Sequence, residues 1–255
     1  MEVNNEGKYI YGIINSGKRE KFDPWGIGKR GDTVCTLGFR DIAAVISNSP
    51  IVKYPVTREN SMAHQEVLEK VMEKHTVLPV RFCTIAEEEE AIKEKVLKAR
   101  YEEFKNLFSQ MKDKIELGVR ALWPNVPGIF EEIVKENKEI KHLKEKVLKS
   151  KPEQESYAGR IKIGELVEEA LKAKKEKEKR MLLEALKPLA EDIRENRVLG
   201  DRNFFNTAFL VKKQKEKQFD KKMAELEEKY GPRVKFSYIG PVPICNFVEI
   251  AITWE

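Results

Sequence analysis

Gly26-Ile-Gly28-Lys-Arg-Gly31 has the spacing of a dinucleotide-binding turn, in which glycines bring a pyrophosphate up to the amides of a helix N-terminus. Its surroundings oppose that chemistry. Phe22-Asp23-Pro24-Trp25 precedes it and the β-branched Thr33-Val34-Cys35-Thr36 follows, so no helix opens where the phosphates would sit and the segment reads as a flexible glycine loop. His64 and His75 share one face of a predicted helix, but eleven residues of α-helix separate them by about 16 Å, too far for a shared metal. His142 stands alone in a charged segment, and no CxxC, HExxH or paired acidic loop occurs, so no metal site or cofactor is expected. Haem held by one histidine stays open. Cys83 lies among Val80, Phe82 and Ile85 and reads as an inert core thiol despite its neighbour Arg81. Without a G-x-S-x-G elbow or a G-x-x-x-x-G-K-[ST] loop, the chain is not expected to be an enzyme.

The block Lys174–Arg180 concentrates base as phosphate binding requires. Its glutamates alternate with the lysines and no aromatic side chain is interleaved for stacking, so it reads as a solvated helix face or the tip of an arm, with no nucleic-acid partner. Glu87 to Glu90 follow Thr84 as the acidic first turn of a helix, with Thr84 and Glu87 spaced as a capping box.

The elements around these residues are read from period. Of 255 residues, 41% are hydrophobic and 36% charged, with 48 basic and 43 acidic, a folded-protein composition with a small positive surplus. No run reaches the length of a membrane span, no signal peptide is evident, and the three cysteines, Cys35, Cys83 and Cys245, lie in apolar strand-like stretches as buried thiols would. The expected setting is the cytoplasm, with no membrane partner. Residues 8–14 predict a strand, and 33–38 with 41–47 a hairpin. His64, Val67, Leu68 and Val71 predict a helix over 57–75, and Val77 to Ile85 a strand that Pro79 confines to an edge or a first position. One helix is expected from Glu87 to about 112 and a strand over 115–122, before Pro124, Pro127 and Gly128 break the chain.

Between 131 and 197, 34 of 67 residues are charged. Ile129, Ile133, Ile140, Leu143 and Val147 predict a helix with a narrow seam broken at Glu136, then a loop over 151–159, then further helix with Leu182, Leu186, Leu189 and Ile193 on its stripe. The tail predicts a strand over 204–211, a helix carrying Phe219, Met223 and Leu226, a strand over 234–239, and an alternating strand over 247–254. The expected fold is α+β: two mixed domains, 1–125 and 126–255, at least one ferredoxin-like, with a charged helical extension over about 129–197.

Several segments resemble one family in order along the chain. Tyr9-Ile-Tyr-Gly-Ile-Ile14, Val77-Leu-Pro-Val-Arg-Phe-Cys-Thr-Ile85, Glu116-Leu-Gly-Val-Arg120, Asn206-Thr-Ala-Phe-Leu-Val211 and Gly240-Pro-Val-Pro-Ile-Cys-Asn-Phe-Val248 are similar to the motifs of the gas vesicle accessory proteins GvpF and GvpL. Cys83 stands where that family usually has glycine, Leu117 where it has tryptophan, and Ile244-Cys245-Asn246 where it has Pro-Tyr-Ser. The resemblance implies two α+β domains and a non-enzymatic assembly factor. Such a protein contacts the small hydrophobic shell protein GvpA, works with other accessory proteins, is associated with the vesicle, and can be a minor wall component. Lending a sheet edge or groove to an aggregation-prone subunit would be the physical means. The expected contact residues are Pro79, Arg81, Phe82, Gly240, Pro241, Pro243 and Phe247, where proline either leaves backbone groups available or simply ends strands. A haem- or flavin-binding enzyme and an RNA-binding scaffold are the alternatives.

Overall fold

The structure, a computed structural model, describes residues 6–23, 26–149 and 153–254. The chain folds as two compact units, residues 1–116 with 240–255, and residues 117–239.

The first unit is built on an antiparallel sheet of β1 (Glu6–Ile14), β2 (Lys21–Phe22), β3 (Val34–Phe39), β4 (Ile42–Pro50), β5 (Val77–Pro79) and β6 (Ile85–Ala86). Its order is β2-β3-β4-β1-β5, with β6 also paired to β1. The register of β1 against β4 shifts between Ile10 and Gly12, so alternation slips by one and Tyr9, Tyr11 and Ile14 all enter one core cluster. Helix α1 (Arg58–Met72) covers this cluster with Val67, Leu68 and Val71, and Thr57 caps it by accepting from the Asn60 amide at 3.2 Å.

The helix expected from Glu87 is divided. A short α2 (Glu89–Ala91) runs into a π-helical stretch, Ile92–Lys98, and α3 (Tyr101–Met111) begins after Arg100 leaves helical geometry. Wide turns rotate the buried face, so Leu97 and Phe108 join Ile92, Val96 and Phe104 in the core. The capping box is not formed: the Thr84 hydroxyl donates to the Arg81 carbonyl at 2.6 Å and thereby closes the preceding turn.

The second unit carries β7 (Lys114–Leu122), α4 (Val126–Glu136), α5 (Lys138–Lys149), α6 (Glu153–Leu186), β8 (Asp192–Glu195), β9 (Asn203–Lys212), α7 (Glu216–Tyr230) and β10 (Lys235–Val242), with sheet order β10-β7-β9-β8. Trp123 stacks on Phe204 at 4.9 Å between centroids, and Phe205, Phe209, Phe219 and Tyr238 continue the aromatic core. The single helix expected along this seam is divided, because Asn137 ends α4 and its side chain accepts from the Glu139 and Ile140 amides to start α5. The loop expected over 151–159 is helix from Glu153 onward; Lys151 and Pro152 lie outside the described residues. Gly159 is set against Val147, where a Cβ would stand 2.4 Å from a methyl group, so the glycine permits close helix contact rather than breaking the helix.

Three other expectations are corrected. Ile193 belongs to β8, because Pro188 ends the helical run and the backbone at 192–195 pairs with β9. The cysteines are less buried than their neighbours suggested: Cys35 and Cys83 are partly exposed and Cys245 is exposed. Residues 247–254 form no regular strand; a single parallel bridge joins Ile250 to Val80. Residues 240–255 pack with the first unit, and that bridge is one of their links to it. No helix among the described residues is long and apolar enough to cross a membrane.

Candidate partner-binding site

The structure brings the two motif segments together in the first unit. Pro79 ends β5 at the margin of the sheet, opposite Gly12 of β1. The margin is closed by the chain's own C-terminal segment. The Pro79 carbonyl accepts from the Ile250 amide at 3.0 Å, the Arg81 amide donates to the Ile250 carbonyl at 2.9 Å, and the Val80 amide is taken by the Tyr11 carbonyl at 2.9 Å. The expected availability of backbone groups beside Pro79 is therefore not found, because a strand margin in a compact unit is satisfied by whatever segment lies against it.

Arg81 points outward and makes a two-pronged pair with Glu249, Nε to Oε1 at 3.2 Å and Nη2 to Oε2 at 3.1 Å, which holds the Glu249 carboxyl below the usual carboxylate range. Both side chains stay more than half exposed, so the pair presents a fixed charged surface without adding much stability. Phe82 turns inward and packs edge-on against Tyr9 and His64. Gly240 has φ 134°, a conformation that glycine adopts freely, and precedes a cis bond to Pro241. Pro241 is exposed, Pro243 buried and Phe247 half-buried.

Glu116 anchors this segment. It is 3% exposed, and its carboxylate accepts from the Asn246 amide at 2.9 Å and from Asn246 Nδ2 at 2.5 Å. Burial raises the Glu116 pKa and the two hydrogen bonds oppose the rise. Nothing in the local pattern marked Glu116 as special, since it is one of three charged residues in β7, with Lys114 and Arg120, and only packing shows that it alone is buried. Cys83 has φ 63°, a left-handed backbone that glycine would adopt without strain. Its amide donates to the Tyr9 hydroxyl at 2.9 Å and its sulfur accepts from the Tyr54 amide at 3.1 Å.

The glycine loop has a packing explanation. A Cβ on Gly26 would lie 2.5 Å from Ser47 Oγ, Gly28 has φ 84° with the Tyr54 ring beneath it, and the Ile27 amide donates to the Tyr11 hydroxyl at 2.7 Å. These residues and the start of α1 border an open groove of about 850 Å³ that also includes Arg30, Arg58 and Met62. His64 is buried and hydrogen-bonded to the Tyr9 hydroxyl at 3.0 Å, and burial lowers its pKa to about 4. His75 pairs with Glu20 instead. No cluster of metal-ligating side chains occurs among the described residues.

In the second unit, Lys174–Arg180 is neither solvated on all sides nor a tip. Lys174 reaches Glu132 and Glu136, Lys175 the Gly200 carbonyl, Lys179 the Glu195 carboxylate, and Glu178 joins Arg233 to the indole of the fully buried Trp123. Carboxylates of neighbouring elements neutralise Lys174 and Lys179, which local sequence could not show.

Fold and site together define a two-unit α+β protein whose motif residues shape a docked chain segment and an outward charged pair. The model of the gas vesicle synthesis protein GvpL/GvpF family matches residues 7–249. Gas vesicle protein F of Dolichospermum flosaquae is 23% identical over 95% of this chain and 97% of its own length, and that of a Streptomyces species 27% identical over 94% and 99%. The crystal structure of GvpF from an Anabaena species superposes with a TM-score of 0.83 at 22% identity, covering 96% of this chain and 99% of that one; the Microcystis aeruginosa GvpF structure gives 0.77 at 22%, covering 94% and 98%. The chain belongs to the GvpL/GvpF family, with the role of a gas vesicle accessory protein.

Proposed function

We propose that the chain is a non-enzymatic assembly factor that binds the small hydrophobic shell protein GvpA and supports nucleation and growth of the vesicle wall, as a minor component of that wall and alongside other accessory proteins. The family match over residues 7–249 carries this reading. The contact surface in the proposal is the junction of the two motif segments, with Arg81 and Glu249 as fixed charges, Pro241 as the exposed apolar element, and Gly240, Phe82, Pro243 and Phe247 as the remaining motif residues of the two segments. This replaces strand lending at Pro79, whose margin is already occupied. The order β10-β7-β9-β8, with the first and third strands of the unit in the middle, supports the ferredoxin-like reading of the second unit. No observation favours a haem, flavin or RNA ligand.

The test is co-expression with a gas vesicle shell protein, affinity capture of this chain, and measurement of the shell protein that remains soluble. Co-capture that falls with Arg81→Glu and with Pro241→Asp, in variants of unchanged circular dichroism, is the expected result. Shell protein that precipitates while this chain elutes clean would remove the proposal, and co-capture indifferent to both substitutions would remove the proposed surface.

A further inference from the structure

The first turns of α6 carry apolar side chains that the second unit leaves uncovered. Tyr157 is 69% exposed and Ile161 49% exposed. At 3.6 residues per turn Tyr157, Ile161, Gly164 and Glu168 share one face, turned away from the face on which Gly159 meets Val147 of α5. A Cβ built on Gly164 finds nothing within 4 Å, so another backbone can come close at the middle of this strip. Exposed charges frame it: Arg160 stands four residues before Gly164 and Glu168 four residues after, and neither pairs with a described residue. The flanking Lys162 and Glu165, by contrast, pair with each other at 3.3 Å.

We propose that this face of α6 is a contact between two copies of the chain, crossing antiparallel about a two-fold axis at Gly164. An antiparallel pair centred there sets each residue before the axis against the residue equally far beyond it. Arg160 then faces the partner's Glu168, Glu168 faces the partner's Arg160, and Ile161 meets the partner's Val167. Opposite charges placed symmetrically about an open glycine are self-complementary, as an isologous interface requires and a partner of unrelated sequence does not. The contact spans few helical turns and lies at the small end of protein interfaces, so association is weak and concentration-dependent.

Sedimentation equilibrium of the full chain from low-micromolar to near-millimolar concentration tests this. A monomer–dimer equilibrium is expected. Arg160→Glu replaces two attractive pairs by two repulsive ones and weakens the dimer roughly tenfold, and adding Glu168→Arg restores it. In a Cys245→Ser background, Gly164→Cys forms a disulfide-linked dimer under mild oxidation, whereas Lys172→Cys, away from the axis, does not. The substitutions at 160, 164, 168 and 172 lie on exposed positions of α6, and circular dichroism checks that the fold is kept in every variant, Cys245→Ser included. A chain that stays monomeric throughout the range overturns the proposal, as does a dimer that ignores Arg160→Glu and fails to cross-link at Gly164→Cys.

Discussion

Lowering the pH from 8 to 5 should destabilise the first unit through His64. The imidazole is 8% exposed, sits among Tyr9, Tyr11 and Phe82, and has burial as the cause of a pKa lowered from 6.5 to about 4. The folded chain therefore holds neutral His64, while the unfolded chain takes up a proton near its ordinary pKa. Stability from this group is complete above about pH 6.5 and falls as pH drops toward about 4, where the folded state also protonates. The whole difference amounts to about 3 kcal/mol, of which about 2 kcal/mol is lost by about pH 5. Denaturant unfolding of the wild type and of His64→Gln, at both pH values, isolates this contribution: the wild type should lose about 2 kcal/mol more than the variant. The Cε1 proton of His64, one of three histidines, should titrate near 4 in a nuclear magnetic resonance pH series. Equal pH dependence in both proteins, or titration of His64 at its ordinary value, would refute the reasoning.

Asn246→Ala leaves one buried Glu116 oxygen without its donor and should destabilise the first unit by about 1–3 kcal/mol, seen as a lower unfolding midpoint and faster proteolysis of the 240–255 segment; Asn246→Ser should recover part of the loss. Cys83→Val forces a β-branched residue into left-handed backbone and should lower stability by about 2 kcal/mol, whereas Cys83→Gly, which relieves strain but loses the sulfur contact to the Tyr54 amide, should stay within about 1 kcal/mol of the wild type in thermal unfolding. Glu178→Ala removes the acceptor of the buried Trp123 indole and one Arg233 partner and should cost about 2 kcal/mol in the second unit, with a change in tryptophan emission on the same samples.

Period and punctuation made most elements legible. The α1 face, the Arg40 hairpin between β3 and β4, the strand at 114–122 and the α7 core residues follow from spacing that each element imposes along its own length. Elements were misread where a local pattern fits two outcomes. Gly159 reads as a breaker until Val147 stands beside it, and Ile193 keeps helical spacing from Leu189 although its backbone pairs with Phe209.

The motif residues, and hence the family, were readable from the chain itself, because side-chain identities in order do not depend on where the chain goes next. The residues flanking Gly26–Gly31 likewise marked it as a loop with no α-helix opening behind it, and a short turn at Ile27–Lys29 is what forms there. What folding alone decided is which groups are already spent. Ile250 fills the margin at Pro79, Asn246 satisfies Glu116, and Glu132, Glu136 and Glu195 neutralise lysines that look free in sequence. These partners are separated along the chain by distances that leave no trace in a helical or strand period, so only tertiary packing pairs them and leaves Arg81, Glu249 and Pro241 facing outward.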